Sequence, residues 1–324
     1  MPASAALLSA AGHFTELVAK PTSAGVTITP IVVARFSTQI LALAGTCTAY
    51  GQGGSRVTDP DGVGHTNAAN QPAALTVPIK TQIANHLARF TSFKSTDLII
   101  VWAGNNDAFK QFTAFSVAAT AIKTKQAQGQ LTEDEAYQQL FLAQTAAQTG
   151  MKIAAQELAS YIKTEILAKG GRYVAVMTLP DSTLTPFGAS LRANPQTASA
   201  VPVLSALVDT FNLWLRDGLG GQPVKIIDQN APGKDVYANP SRYGLTNNTV
   251  PACDPAKISA ITGGAVTDGS SLFCNSTPGA PYNGLRTGAD VNTWQFADGV
   301  HPTPGGHKII GDYVTQQLRS FGWI

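Results

Sequence analysis

This sequence contains unusually few charged residues. Only 13% of its 324 residues are Asp, Glu, Lys or Arg, about half of the roughly 25% that is usual in soluble domains. The 22 basic and 20 acidic residues leave a formal net charge of +2 at pH 7. Proteins that bind nucleic acid mainly through charge need a basic excess to displace counterions from phosphates. The sequence therefore excludes that class, and its uncharged polar surface favours an exported protein.

Cysteine is nearly as scarce, with three residues at Cys47, Cys253 and Cys274. They form neither a Cys-X-X-Cys motif nor a Cys/His cluster, so we predict no metal site. Cys253 and Cys274 share one stretch rich in Pro, Gly, Ser and Asn, where a disulfide would clamp the loop in an oxidising compartment. Two free thiols are the alternative. Cys47 is predicted to be a small buried hydrophobic residue.

Long apolar runs are absent as well. No stretch of about 18 consecutive apolar residues, the length of a membrane-spanning helix, occurs in the sequence, so we predict no transmembrane segment. Residues 1–11 have no basic region and only a short apolar run, which makes them a poor signal peptide. If the protein is exported, we expect its export signal to be missing from this sequence.

What the sequence does contain is an alternation of strand and helix patterns. Short apolar runs predict buried strands at Asp97–Trp102, Arg172–Thr178 and Val224–Asp228. Apolar residues at helical spacing predict a helix over Ala198–Leu219, and another helix begins at Thr303. This order predicts an α/β fold with three layers, α/β/α, around a central parallel sheet. Ligands bind such sheets beyond the carboxyl ends of the strands.

The sequence also predicts one unusually long helix. It begins at Thr132, with Glu135 placed to form a capping box, and it extends to about Ala168. Gly150 predicts a break within it. The whole chain, residues 1–324, is predicted to be a single domain with a long polar loop insertion at about 230–297.

An Asp-X-X-His motif precedes the last helix. Asp298 lies three residues before His301, so its carboxylate can fold back onto the imidazole Nδ1. A carboxylate there holds the ring in one tautomer and stabilises its charged form, as a base in nucleophilic catalysis requires. The alternative is a helix-entry turn with an incidental histidine.

Two polar turns could donate hydrogen bonds to a developing oxyanion. The first predicted strand ends in Gly104-Asn105-Asn106-Asp107, where a carboxamide N–H can serve as such a donor. The glycine-rich stretch ending in Gly53-Gly54-Ser55-Arg56 permits close backbone approach to a ligand, and Gly54 offers a backbone N–H. A polar turn and a tight turn are the respective alternatives.

Together these stretches resemble the GDSL-type (SGNH) hydrolases, a family of bacterial exported esterases and lipases. GGSR, GNND and DGVHP are similar to three of the family's sequence blocks and occur in the family's order. The resemblance implies that Gly54 and Asn106 form the oxyanion hole, and that Asp298 and His301 are the acid and base of a triad. It also implies a flavodoxin-like fold, a small-molecule or lipid ester substrate, no cofactor, and a secreted, periplasmic or outer-surface location.

One block of the family has no match. The family carries its nucleophilic serine in a Gly-Asp-Ser turn after the first strand, and no such turn precedes Gly53. We expect that the first strand and its serine were encoded upstream. Ser270 and Ser271, in an Asp-Gly-Ser-Ser stretch, are poor substitutes because they lie in the loop with the cysteines. A non-catalytic, truncated or degenerate SGNH fold that binds acyl or glycan ligands is the first alternative function, and an acyltransferase is the second.

Overall fold

The computed structural model describes residues 48–66, 73–276 and 283–324. Cys47, and with it the prediction of its burial, lies outside these residues. The described chain forms two compact units. The sheet unit comprises Tyr50–Asp181 and Leu191–Ala231, and the C-terminal unit includes Ser182–Ser190 and Pro232–Ile324.

Three parallel strands form the sheet, in the order β1-β2-β3. They are β1 (Leu98–Val101), β2 (Tyr173–Met177) and β3 (Lys225–Ile227), so each predicted strand is present and is shorter than predicted by one residue at each end. The last four residues of β2 are buried, as expected of a continuous apolar run in a parallel sheet. The predicted α/β class with a parallel sheet is therefore confirmed.

Helices connect the strands and continue into the C-terminal unit. In the described residues they are α1 (Ile79–Phe90), α2 (Asn105–Ala127), α3 (Glu133–Tyr161), α4 (Pro186–Ala193), α5 (Val201–Gly218), α6 (Asn230–Ala238), α7 (Pro255–Ile261) and α8 (Pro304–Ser320).

The long helix α3 has the predicted start but not the predicted break. The Thr132 hydroxyl accepts from the Glu135 N–H, and the Glu135 carboxylate accepts from the Thr132 N–H, which completes the capping box. At Gly150 the prediction is wrong, because the helix continues there. A Cβ at Gly150 would lie 2.3 Å from Nε2 of Gln111 in α2, so this glycine serves helix packing. A π-helical segment, Ile162–Leu167, then extends the helix.

Helix α5 supplies much of the core of the sheet unit. Its predicted apolar stripe is buried, with Leu204, Leu207, Phe211 and Leu215 fully enclosed, and α5 packs against α3. By length and composition alone, Ala198–Gly218 is long and apolar enough to cross a membrane. In the structure, the apolar stripe of this helix is buried in the protein core.

The C-terminal unit contains most of the segment predicted to be a long polar loop. Short elements interrupt it, including α7 and 3-10 turns at Pro240–Tyr243 and Ser271–Phe273. Helix α8 begins as predicted, because the Thr303 hydroxyl accepts from the Gly306 N–H at 3.1 Å.

Candidate active site

The glycine-rich turn of the sheet unit fixes Gly54 in a conformation that suits only glycine. Its φ is +77°, and a Cβ there would lie 2.2 Å from the Val63 carbonyl oxygen and 2.7 Å from Cγ2 of Thr76. The Gly54 carbonyl accepts from the Val63 N–H at 2.9 Å. Among the described residues, no acceptor receives the Gly54 N–H. The turn therefore presents a backbone donor at a fixed position.

Thr76 packs against Gly54 from within the same unit. It is 1% exposed and has a φ of 44°, which is strained for a β-branched residue. Its hydroxyl donates to the Pro60 carbonyl at 2.8 Å and lies 3.0 Å from Nδ1 of His65. These bonds hold Thr76 in the strained conformation, and its side chain also blocks a Cβ at Gly62.

Asn106 connects the glycine-rich turn to the start of α2. Its carboxamide Nδ2 donates to the Ser55 carbonyl at 2.9 Å. A carboxamide nitrogen carries two hydrogens, and the second has no acceptor among the residues that the structure describes. Gly104, just before α2, has a φ of +111°, and the ring of Phe211 occupies the space that a Cβ would need. Asn106 is thus held in place with one N–H left to donate.

Asp107 strengthens this connection and received no role from the sequence. Its carboxylate accepts from the Val57 N–H at 3.0 Å and from Nε of Arg56 at 3.1 Å, and Asp107 is 2% exposed. Burial raises the pKa of this carboxyl, although the Val57 N–H and the Arg56 guanidinium act in the opposite direction. The position of an acid directly after Asn106 is the one feature that could have indicated it.

In the C-terminal unit, the hydrogen bond predicted between Asp298 and His301 is present. The imidazole Nδ1 lies 2.8 Å from Oδ2 of the carboxylate and 3.0 Å from Oδ1. Asp298 is 5% exposed, whereas the His301 side chain is 62% exposed. A buried carboxylate therefore holds an accessible imidazole by one ring nitrogen.

Backbone N–H groups fix the carboxylate of Asp298. Its Oδ1 accepts from the N–H groups of Val300 and His301, at 3.0 and 2.8 Å, and its Oδ2 accepts from the Ser271 N–H at 2.9 Å. The Ala297 N–H also donates to the His301 carbonyl at 2.8 Å, which closes the turn. The orientation of the acid is therefore set before any ligand binds.

The charges of the pair follow from these contacts. Burial raises the pKa of Asp298, but the His301 imidazole and the neighbouring N–H groups outweigh it and hold this pKa far below its usual range. Partial loss of hydration lowers the pKa of His301, whereas the hydrogen bond and charge of Asp298 raise it by more, so the net shift is upward. Burial, together with the charge of His301, lowers the pKa of His307 to about 4. A neutral His301 that donates from Nδ1 keeps Nε2 as a proton acceptor.

The cysteine loop lies against this pair. Cys253 and Cys274 form a disulfide, the pairing that the sequence favoured over two free thiols. Ser270 is the cap of the 3-10 turn Ser271–Phe273, and its hydroxyl accepts from the Leu272 N–H at 3.4 Å. Ser270 and Ser271 are therefore in a loop turn rather than at the end of a strand. Within the described ranges, no group of three or more His, Cys, Asp or Glu side chains could hold a metal ion.

Comparisons with known proteins bear on the family of the chain. The family model described as GDSL-like Lipase/Acylhydrolase matches residues 26–314, most of the chain. Esterase EstA of Pseudomonas aeruginosa is 35% identical over 156 residues, which are 47% of this chain and 20% of EstA. A Pseudomonas putida protein described as uncharacterized, in the trpE-trpG intergenic region, is 32% identical over 180 residues, 54% of this chain and 25% of that protein.

The chain thus spans only 20% to 25% of the length of these curated relatives. The matching family is described as lipases and acylhydrolases, and EstA is named an esterase. The helix-rich α/β structure with a parallel sheet is consistent with the flavodoxin-like fold of that family.

Proposed function

Because the chain belongs to the GDSL-like lipase/acylhydrolase family, we propose that it hydrolyses carboxylic esters with His301 as the base and Asp298 as its partner. The observation that carries this proposal is the 2.8 Å hydrogen bond between the buried Asp298 carboxylate and Nδ1 of the exposed His301. The nucleophile is a serine that we do not assign to a residue of this chain.

In the proposed reaction His301 transfers a proton twice. Its Nε2 takes the proton of the serine hydroxyl while the serine oxygen bonds to the acyl carbon. It then gives that proton to the departing alcohol, and the acyl-enzyme forms. In the second half of the reaction, His301 takes a proton from water while the water oxygen bonds to the acyl carbon. It then gives that proton to the serine oxygen as the acyl–serine bond breaks, which releases the acid. The negative charge of Asp298 stabilises the imidazolium that exists between them.

Gly54 and Asn106 are proposed to stabilise the oxyanion of each tetrahedral intermediate. Support comes from the Gly54 N–H and the second N–H of the Asn106 carboxamide, neither of which has an acceptor among the described residues. Gly54 lies in the glycine-rich turn and Asn106 lies at the start of α2. Asp107 of α2 bonds to Val57 and Arg56, which follow that turn. Donors that are fixed before the reaction need no reorganisation as charge develops.

The substrate is proposed to be a small-molecule or lipid ester, met in a secreted, periplasmic or outer-surface setting. The disulfide Cys253–Cys274 supports that setting, because disulfides persist in oxidising compartments. The low charged fraction of the sequence favours it as well.

Hydrolysis of a short-chain p-nitrophenyl ester by the chain, beside His301→Ala, tests the proposal. Where the chain hydrolyses the ester, His301→Ala should lower kcat by on the order of 10³-fold or more, because the serine then has no base. The matched control is Asp312→Asn, which alters an exposed side chain in α8 that pairs with Lys308. Its kcat should equal that of the parent chain. Unchanged turnover in His301→Ala contradicts the assignment of the base.

A fluorophosphonate probe separates the proposal from its two alternatives. A serine nucleophile activated by His301 becomes covalently labelled, and mass spectrometry of the peptides identifies it. A folded chain that binds ester but shows neither turnover nor label would support the non-catalytic function. If an added alcohol such as glycerol diverts most of the acyl group into a new ester, the activity is acyl transfer.

A further inference from the structure

The two carboxylate oxygens of Asp298 are held in different ways. Oδ1 is bonded within its own turn, to the N–H groups of Val300 and His301. Oδ2, which lies 2.8 Å from Nδ1 of His301, accepts one further bond from the Ser271 N–H at 2.9 Å. Ser271 is 27 positions away in the sequence. Among the described residues, this is the one donor to the carboxylate from outside the turn.

Ser271 is held where it is by the disulfide loop. It is the first residue of the 3-10 turn that ends at Phe273, and Cys274 follows directly. Cys274 is bonded to Cys253, whose N–H donates to the Ala297 carbonyl at 2.8 Å, next to Asp298. The bridge therefore joins the far end of the loop to the backbone beside the acid.

We propose that the loop closed by Cys253–Cys274 is a positioning element for the Asp298–His301 pair and acts through the Ser271 backbone N–H. This inference rests on the proposed function, in which that pair moves the proton. An N–H bonded to Oδ2 draws negative charge from the carboxylate oxygen that lies nearer to Nδ1 of the imidazole. The carboxylate then holds the imidazolium less tightly, so His301 releases its proton more readily.

Few other charged groups bear on His301. Among the described residues, Asp298 interacts with it from its own turn, and His307 of α8 interacts with it electrostatically. The pKa of His307 lies near 4, so this residue stays neutral while His301 titrates. A change in the titration of His301 therefore reports on the environment of Asp298.

Ser271→Pro removes the one N–H at issue, and Ser271→Ala is its matched control. Proline is well suited to the first position of a helical turn. Ser270, with φ −49° and ψ 128°, already has the extended conformation that a residue before proline prefers. Ser271→Ala removes only the hydroxyl and keeps the N–H. The readout is the NMR titration of the His301 imidazole in the full chain, with its signal assigned by its absence from His301→Gln.

We expect the titration midpoint of His301 to rise by about half a pKa unit or more in Ser271→Pro and to stay unchanged in Ser271→Ala. Because the Val300 and His301 N–H groups still orient the carboxylate, the shift should be upward. An unchanged or lower midpoint in Ser271→Pro overturns the inference, as does an equal shift in Ser271→Ala. The titration needs no turnover, so it decides the inference even if His301→Ala contradicts the proposed function.

A double variant tests the bridge itself and covers the case in which Ser271→Pro does not fold. Cys253→Ala/Cys274→Ala frees the end of the loop, so the His301 midpoint should rise as in Ser271→Pro. In an active chain, the acidic limb of the kcat/KM profile should move to higher pH by the same amount. A folded double variant with the parental midpoint rules out a positioning role for the bridge.

Discussion

Asp107 in the sheet unit and Asp298 in the C-terminal unit are buried to nearly the same extent. They are 2% and 5% exposed, and both carboxylates accept backbone N–H bonds. The pKa of Asp107 is nevertheless raised by burial, whereas that of Asp298 is held far below its usual range.

The number and placement of the donors account for this difference. Asp298 accepts three backbone N–H bonds and the imidazole of His301. Asp107 accepts one bond from the Val57 N–H and one from Arg56, whose guanidinium also pairs with Asp59. The depth of burial alone therefore does not determine the charge of a carboxyl group. Asp107 joins two turns, and Asp298 orients a titrating base.

The largest effect that separates the two aspartates is expected in turnover. Asp298→Asn removes the charge that holds His301 in its tautomer, so kcat for a p-nitrophenyl ester should fall by on the order of 10³- to 10⁴-fold with a similar KM. Asp107→Asn keeps the base intact and should lose far less. Steady-state kinetics of both variants make the comparison, with Asp312→Asn as the surface control. A smaller loss in Asp298→Asn than in Asp107→Asn reverses the assignment of roles.

The next effect concerns the turn that Asp107 anchors. Gly54→Ala forces a Cβ to within 2.2 Å of the Val63 carbonyl at a φ of +77°, and it should lower the free energy of unfolding by about 2 kcal/mol or more. Gly53→Ala is the matched control, because nothing lies within 4 Å of its added Cβ. Urea unfolding of both variants measures the difference. Equal midpoints would show that the turn can relax.

The smallest expected effect is on the pH dependence of stability, to which Asp298 and Asp107 should contribute with opposite signs. Folding lowers the pKa of Asp298, so its carboxylate adds stability above about 3.8, the unfolded value, and that stability is lost as the pH falls through the folded pKa. Folding raises the pKa of Asp107, so its contribution is present below the unfolded pKa and is lost as the pH rises through the folded pKa.

Urea unfolding between about pH 3 and pH 6 tests this pair of signs. The stability lost in Asp298→Asn relative to the parent chain should grow with pH across that range. The stability lost in Asp107→Asn should shrink. If the stability losses of Asp298→Asn and Asp107→Asn change with pH in the same direction, the opposite pKa shifts assigned to the two carboxyl groups are wrong.

Sequence reasoning worked where the physics is local. The capping box of Thr132 and Glu135 and the bond between Asp298 and His301 each join residues three positions apart. The strands were predictable because buried parallel strands are continuous apolar runs.

Sequence reasoning failed where a residue contacts another that lies far away along the chain. Gly150 was predicted to break a helix, but its role is set by Gln111 on another helix. Asp107 acts on residues about 50 positions away, and Ser271 acts on Asp298 at a separation of 27. Contacts of this length depend on how the elements pack, which the spacing of residues does not encode.

The contact of Gly54, Gly62 and Thr76 has a consequence for directed evolution. A Cβ at Gly54 or at Gly62 meets a backbone oxygen at 2.2 or 2.1 Å, which trimming Thr76 would not remove. Libraries that diversify this loop will therefore lose most variants at Gly54 and Gly62, whatever the residue at position 76. Gly51 and Gly53 have open space around the added Cβ. A library that aims to change the ligand preference of this loop should therefore vary these two positions first.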